Sequence, residues 1–123
     1  MPPLLLVMSG GALGAGTRFA VGRALAGPVA GDWPWPTLAI NILGGFLMGL
    51  LAALMARGVA GEATRLTLGV GVLGGFTTFS AFSMETVALI AGGHAAGAVA
   101  YVAASVLGAT LACYAGQALG TAL

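Results

Sequence analysis

The sequence predicts an all-α membrane protein of four transmembrane helices, the third broken mid-membrane, and three observations carry that prediction. First, 59% of the 123 residues are hydrophobic and 6% are charged, with no lysine, whereas a soluble domain carries about 25% charged residues. Mean hydropathy is +1.07. Second, the apolar residues fall into four stretches, each reaching the roughly 20 residues needed to cross a hydrocarbon core. Third, Gly-Gly-Phe-Thr-Thr-Phe-Ser-Ala-Phe-Ser-Met-Glu-Thr (residues 74–86) lies inside the third stretch. Hydrocarbon offers no hydrogen bonds, so a polar, glycine-bearing backbone at that depth requires burial in protein or a hydrated cavity. An intramembrane acid such as Glu85 marks a pathway or a site.

A single four-helix transmembrane domain over residues 1–123 accounts for the whole chain. The first span covers roughly residues 3–26, with Arg18 and Arg23 towards its far end. Ala24-Leu25-Ala26 resembles a signal cleavage site, but no positive charge precedes the apolar run, so the span is expected to stay. Residues 27–36 form a short link with Asp32, Trp33 and Trp35, and tryptophan suits the membrane–water interface. The second span, about residues 35–57, has no internal charge and one strongly polar residue, Asn41. A turn at 58–62 leads into the third span, about 63–90, and Gly92-Gly93-His94 leads into the fourth, about 95–122. With no soluble domain and no long loop, function is expected to reside in the membrane.

Composition excludes several classes. A net charge of +1 without basic clusters is not that of a phosphate-neutralising nucleic-acid binder. Cys113 is the one cysteine, so no intrachain disulfide or multi-cysteine metal site is available. No nucleophile–base pair is present, so no enzyme is indicated, and His94 sits in a turn with no second ligand nearby. Gly-Gly-Ala-Leu-Gly at 10–14 follows no strand and is no dinucleotide fingerprint.

Four short helices scarcely enclose a pore alone, which implies that a second copy completes the site. The pairs Gly10/Gly14, Gly45/Gly49, Gly71/Gly75, Gly93/Gly97 and Gly116/Gly120 permit close helix packing. Orientation follows Lys and Arg in short loops. Arg18 and Arg23 lie at loop one, Arg57 and Arg65 at loop two, so neither side prevails. A chain that inserts both ways and pairs antiparallel looks like this; so does a chain oriented by something else.

Polar groups recur on several spans, and each has a plain reading and a functional one. Gly74-Gly75 loosens the third helix, and Thr77-Thr78 can bond freed backbone groups. Unwound carbonyls in a membrane either ligate a hard monovalent cation or merely mark a packing kink. Phe76, Phe79 and Phe82 recur every three residues. Such a stripe is core packing, or its electropositive ring edges face an anion while its body excludes water. Asn41 offers amide donors to an anion or ties helices together. The fourth span carries two opposed stripes, Tyr101/Ser105/Gly108 and Thr110/Tyr114/Gln117, of which one can line a path. Arg18 snorkels as an anchor or gives a vestibule an anion-attracting field.

Three stretches resemble the signature motifs of the Fluc/CrcB fluoride channels: Gly-Gly-Ala-Leu-Gly-Ala-Gly-Thr-Arg-Phe (10–19), Thr-Leu-Ala-Ile-Asn-Ile-Leu-Gly-Gly-Phe (37–46) and Gly-Gly-Phe-Thr-Thr-Phe-Ser-Ala-Phe-Ser-Met-Glu (74–85). The resemblance covers three of the four spans. It implies an antiparallel, dual-topology homodimer with two pores, in the plasma (inner) membrane of a bacterium or archaeon. It also implies a structural sodium ion at the dimer centre, held by the carbonyls of Gly74 and Thr77. By the same resemblance, Phe79 and Phe82 form a ring box for fluoride. Asn41, Thr78, Ser80, Glu85, Tyr101 and Ser105 line its pathway, and Arg18 serves the vestibule. Gly108 and Ala109 depart from the hydroxyl track of the family's fourth helix. Transport is then passive: fluoride enters as the neutral acid, dissociates inside, and leaves as the anion. The rival is a proton-coupled small-molecule exporter resembling the small multidrug-resistance transporters, although those use an acid in the first helix, where this chain has none.

Overall fold

The computed structural model describes residues 1–26 and 33–123. Asp32 and the rest of the link at 27–32 lie outside the described residues. The described residues form helices joined by turns. Helix α1 spans Pro3–Leu25 and α2 spans Trp35–Ala56. Both begin with a proline in the first two positions, where its fixed φ suits a helix and its missing N–H goes unused. The third span begins with α3, residues 62–76, in which Arg65–Leu73 carries the wider five-residue bonding pattern of a π-helix. It resumes after a break as α4, Phe79–Ala91, and the chain ends in α5, Ala95–Ala122. Four spans are thus long and apolar enough to cross a membrane.

Two turns are closed by glycine in the left-handed region, Gly58 at φ 74° and Gly93 at φ 81°. Behind Gly58, the Gly58 and Val59 amides return to the carbonyls of Met55 and Leu54; behind Gly93, the Gly93 and His94 amides return to Ile90 and Leu89. Both are the doubly bonded helix ending that favours glycine, because only it takes that φ without strain.

The bundle is built from two parallel helix pairs. A methyl group added at Gly10 would strike the Thr67 carbonyl and one at Gly14 the Val72 carbonyl, so α1 and α3 touch backbone to backbone. Gly71 and Gly75 return the contact against Gly10 and Gly11. In the same way Gly49 lies against the Cys113 carbonyl, and Gly116 against that of Phe46, which joins α2 to α5. Four of the five glycine pairs are therefore consumed inside one chain. Lipid tails give no hydrophobic drive between helices, so association depends on this close approach. A small core of Leu38, Leu89, Ala98 and the fully buried Tyr101 closes one end, with Trp33, Ile42 and Phe82 against it.

Candidate functional site

The third span breaks at Thr77-Thr78, where both residues are extended (ψ 156° and 125°). Gly74 and Gly75, the expected point of loosening, remain helical. Their smallness serves the approach to α1 instead, since a methyl group at Gly75 would lie 2.6 Å from the Gly11 carbonyl. The threonines manage the break. Thr77 Oγ1 donates to the Leu73 carbonyl at 2.9 Å, and Thr78 Oγ1 accepts from the Ala81 amide at 3.2 Å, capping α4. Such hydroxyl caps satisfy a helix's free N–H groups.

Asn41 clamps the same point from α2. Its Nδ2 donates to the Thr78 carbonyl and its Oδ1 accepts from the Thr78 amide, both at 2.9 Å. Arg18 Nε donates to the Gly75 carbonyl at 3.1 Å. The carbonyls of Gly75 and Thr78 are thus partnered. Those of Gly74 and Thr77 receive no donor across the break among the described residues, because the Thr78 amide is taken by Asn41 and the Ala81 amide by Thr78 Oγ1. Unpaired carbonyls are the donor set a hard cation takes.

The break interrupts the phenylalanine stripe. Phe76 is buried in the bundle before it, whereas Phe79 and Phe82 pair after it, with ring centroids 5.4 Å apart. The series continues: Phe82 lies 5.2 Å from Tyr101, and Tyr101 meets Trp33 edge-on at 5.6 Å. Phe79 is 79% exposed.

Beside these rings runs an open groove of about 460 Å³, with Asn41, Thr77, Thr78, Phe79, Phe82 and Ser105 in its wall. Ser105 is buried, and its Oγ has no hydrogen-bond partner among the described residues. An unpaired buried hydroxyl is costly. One stripe of α5, Tyr101/Ser105/Gly108, faces inward, Gly108 against Ile42. Of the other, Tyr114 and Gln117 are exposed, while exposed Thr110 reaches the groove wall.

Beyond Phe82 the polar chemistry continues. Glu85 accepts from Thr37 Oγ1 on one carboxyl oxygen and from the Tyr101 hydroxyl on the other, each at 2.7 Å. Thr37 is the residue that the sequence reading missed. Its signal was its position one turn before Asn41 on the same face of α2, since residues four apart align.

The structure therefore gathers Asn41, Thr78, Phe79, Phe82 and Ser105 about one groove, with Tyr101 and Glu85 behind Phe82. Ser80 stands at the side, its hydroxyl 3.3 Å from that of Thr78. Arg18 stands apart from the groove, on the Gly75 carbonyl, and joins α1 to the end of α3.

Four apolar spans, a break in the third and a groove bordered by aromatic rings and hydroxyls define a multi-pass membrane protein. The chain belongs to the CrcB family: residues 5–117 match the family described as "CrcB-like protein, Camphor Resistance (CrcB)". It is similar to the "Fluoride-specific ion channel FluC" of Sphingopyxis alaskensis, 54% identical over 97% of this chain and 95% of that one. The proteins of the same name from Mesorhizobium japonicum and from a strain of Thermus thermophilus are 43% and 45% identical, over 98% and 97% of this chain and 97% and 94% of theirs.

Proposed function

We propose that this chain is a passive, fluoride-selective ion channel that lets cytoplasmic fluoride leave across the plasma membrane. The observation that carries the reading is the unpaired Ser105 hydroxyl, buried in a groove whose other wall is the Phe79–Phe82 pair. Fluoride is compact and strongly hydrated, so a selective path must replace its water with several donors. Ser105 and the second Asn41 amide hydrogen supply donors, and the ring edges supply positive potential. An inside-negative voltage favours exit by about 2.3 kcal/mol per 100 mV for each charge. Membership of the family sets the proton-coupled exporter aside.

The groove is open, and Phe79, Ser80, Thr110 and Tyr114 are exposed at membrane depth. Hydroxyls there need a partner, which supports a second, antiparallel copy closing two pores. The carbonyls of Gly74 and Thr77 fit a structural sodium ion at that junction. Such an ion would supply positive charge that holds the extended backbone of the break against the second copy.

The test is efflux from liposomes loaded with mixed fluoride and chloride, followed by ion-selective electrodes. Rapid loss of fluoride with chloride retained is the expected result. A verified dimer in sodium buffer that retains its fluoride would overturn the reading. Replacing sodium with a large organic cation should loosen the dimer, and a dimer indifferent to the exchange would remove sodium from the proposal.

A further inference from the structure

Two sulfur-bearing side chains, Met48 and Cys113, stand in the wall of the same groove as Asn41 and Ser105. They come from facing helices at one level of the membrane. Gly49, the residue after Met48, lies against the Cys113 carbonyl, and a methyl group at Gly45 would stand 2.7 Å from the Ala109 carbonyl. At this level α2 and α5 therefore meet backbone to backbone, and the neighbouring side chains are left to border the open space. Cys113 is a free, half-buried thiol, and Met48 is partly exposed.

Taken singly, each residue packs: methionine fills irregular gaps, and a free cysteine behaves as a small hydrophobe. Together they differ, because both sulfurs belong to one cavity. A second observation concerns that cavity itself. Ser105, 7% exposed, lines it too, and its hydroxyl has no partner among the described residues. Such a group marks a space that water or an ion enters, not a sealed seam.

The donor chemistry sets the kind of ion. Thiolate and thioether are soft ligands, which select copper(I)-like ions over sodium, magnesium or calcium. No three His, Cys, Asp or Glu side chains gather into a site among the described residues, so the four-ligand cage of a structural zinc is not on offer. Two sulfurs in line suffice for a soft monovalent ion. On binding, the Cys113 S–H bond breaks, its proton leaves to water in the groove, and a sulfur–metal bond forms without any change of oxidation state. The thiolate and the ion cancel in charge and the thioether carries none. The loaded site is neutral, and membrane depth penalises uncompensated charge.

We propose that Met48 and Cys113 form an inhibitory site for a soft monovalent metal ion, of the copper(I) and silver(I) class. Drawing the two sulfurs together across the groove narrows it beside Asn41 and Ser105, so the loaded protein passes less fluoride. The inference rests on the fluoride-channel reading above.

Its test uses silver(I), which needs no reductant, in chloride-free nitrate buffer, where silver and fluoride stay in solution. Proteoliposomes of the parent chain, Cys113→Ser and Met48→Leu are loaded with fluoride, and each is compared with its own silver-free rate. Silver nitrate on both faces should slow parent efflux about tenfold or more, and the detergent-solubilised protein should gain the ultraviolet absorption of a silver thiolate. Cys113→Ser should lose both effects; Cys113→Ala replaces it if the serine variant does not fold. Met48→Leu, which conserves volume, should need about tenfold more silver for half-block and about tenfold more for half-maximal absorption. A Cys113 variant blocked as strongly as the parent would overturn the inference. So would silver thiolate absorption with parent efflux unchanged, or parental silver sensitivity in Met48→Leu. A parent chain that releases no fluoride before silver is added defeats the channel reading instead, and the absorption titrations of the parent and Met48→Leu then still decide whether the two sulfurs share an ion.

Discussion

Asn41 and Thr78, on different spans, exchange two hydrogen bonds of 2.9 Å, amide to carbonyl and carbonyl to amide. A broken helix leaves backbone groups without partners, and in hydrocarbon each of these is expensive. A carboxamide offers a donor and an acceptor side by side on one planar head, and asparagine carries it on a short stem. Asn41 thus replaces the missing helical turn, and α2 and the break become one unit.

Asn41→Leu, close in volume, should orphan both Thr78 groups. Each unsatisfied buried group costs about 1–3 kcal/mol, so thermal unfolding in detergent should fall by several degrees and fluoride efflux should fall with it. Asn41→Asp keeps the acceptor for the Thr78 amide but sets an oxygen against its carbonyl, and should be nearly as damaging. A Leu variant with parental melting temperature and efflux would show that the clamp is incidental.

Ser105 calls for the opposite pattern. Its hydroxyl has no partner among the described residues, so Ser105→Ala should leave stability unchanged or slightly raise it. A hydrogen bond to a charged group is worth about 1.5–3 kcal/mol, so fluoride efflux should drop about tenfold or more. Ser105→Thr, which keeps the hydroxyl, should retain most of the flux. Loss of melting temperature in the Ala variant with efflux intact would assign Ser105 a packing role.

The spans and the region of the site were legible because the signals are local: apolar length, an acid at depth, a stripe of rings. The position of the break was not. Gly74-Gly75 looked like the weak point, but glycine's smallness was needed against Gly11, and Asn41, 37 residues earlier, decided where the helix opens. Phe76 matched the three-residue stripe yet lies on the core side of the break, because a period holds only while a helix continues. Thr37 was hidden for a related reason. Its partner is 48 residues away, and a threonine next to interfacial tryptophans looks like a span edge. The glycine pairs suggested close packing without naming partners, and the structure spends most of them within the chain.

Thr37 and Tyr101 bind the two oxygens of one carboxyl group, so their effects should be coupled. Thr37→Val and Tyr101→Phe each remove one donor and keep the shape; Tyr101→Phe also keeps the ring against Phe82. Each alone should reduce fluoride efflux, and their double-mutant cycle should show a coupling of about 1 kcal/mol in unfolding free energy. Measured in detergent by equilibrium unfolding, strictly additive losses would mean that Glu85 does not link α2 and α5. Glu85→Gln retains one acceptor oxygen and should fall between the parent and the double variant.

The helix contacts should tolerate nothing larger than glycine at their closest points. A methyl group at Gly49 would overlap the Cys113 carbonyl, and one at Gly116 that of Phe46. These atoms are backbone, so relief requires separating α2 from α5, and with them Asn41 from Ser105 across the groove. Overpacking of this kind costs about 1–3 kcal/mol. Gly49→Ala should therefore lower both the melting temperature and efflux, whereas Gly16→Ala on α1, where nothing lies within 4 Å of the added methyl, should change stability by less than about 0.5 kcal/mol. Side-by-side unfolding of the two variants separates the readings. If Gly49→Ala proved as mild as Gly16→Ala, the backbone contact between α2 and α5 would not be what holds the two walls of the groove in register.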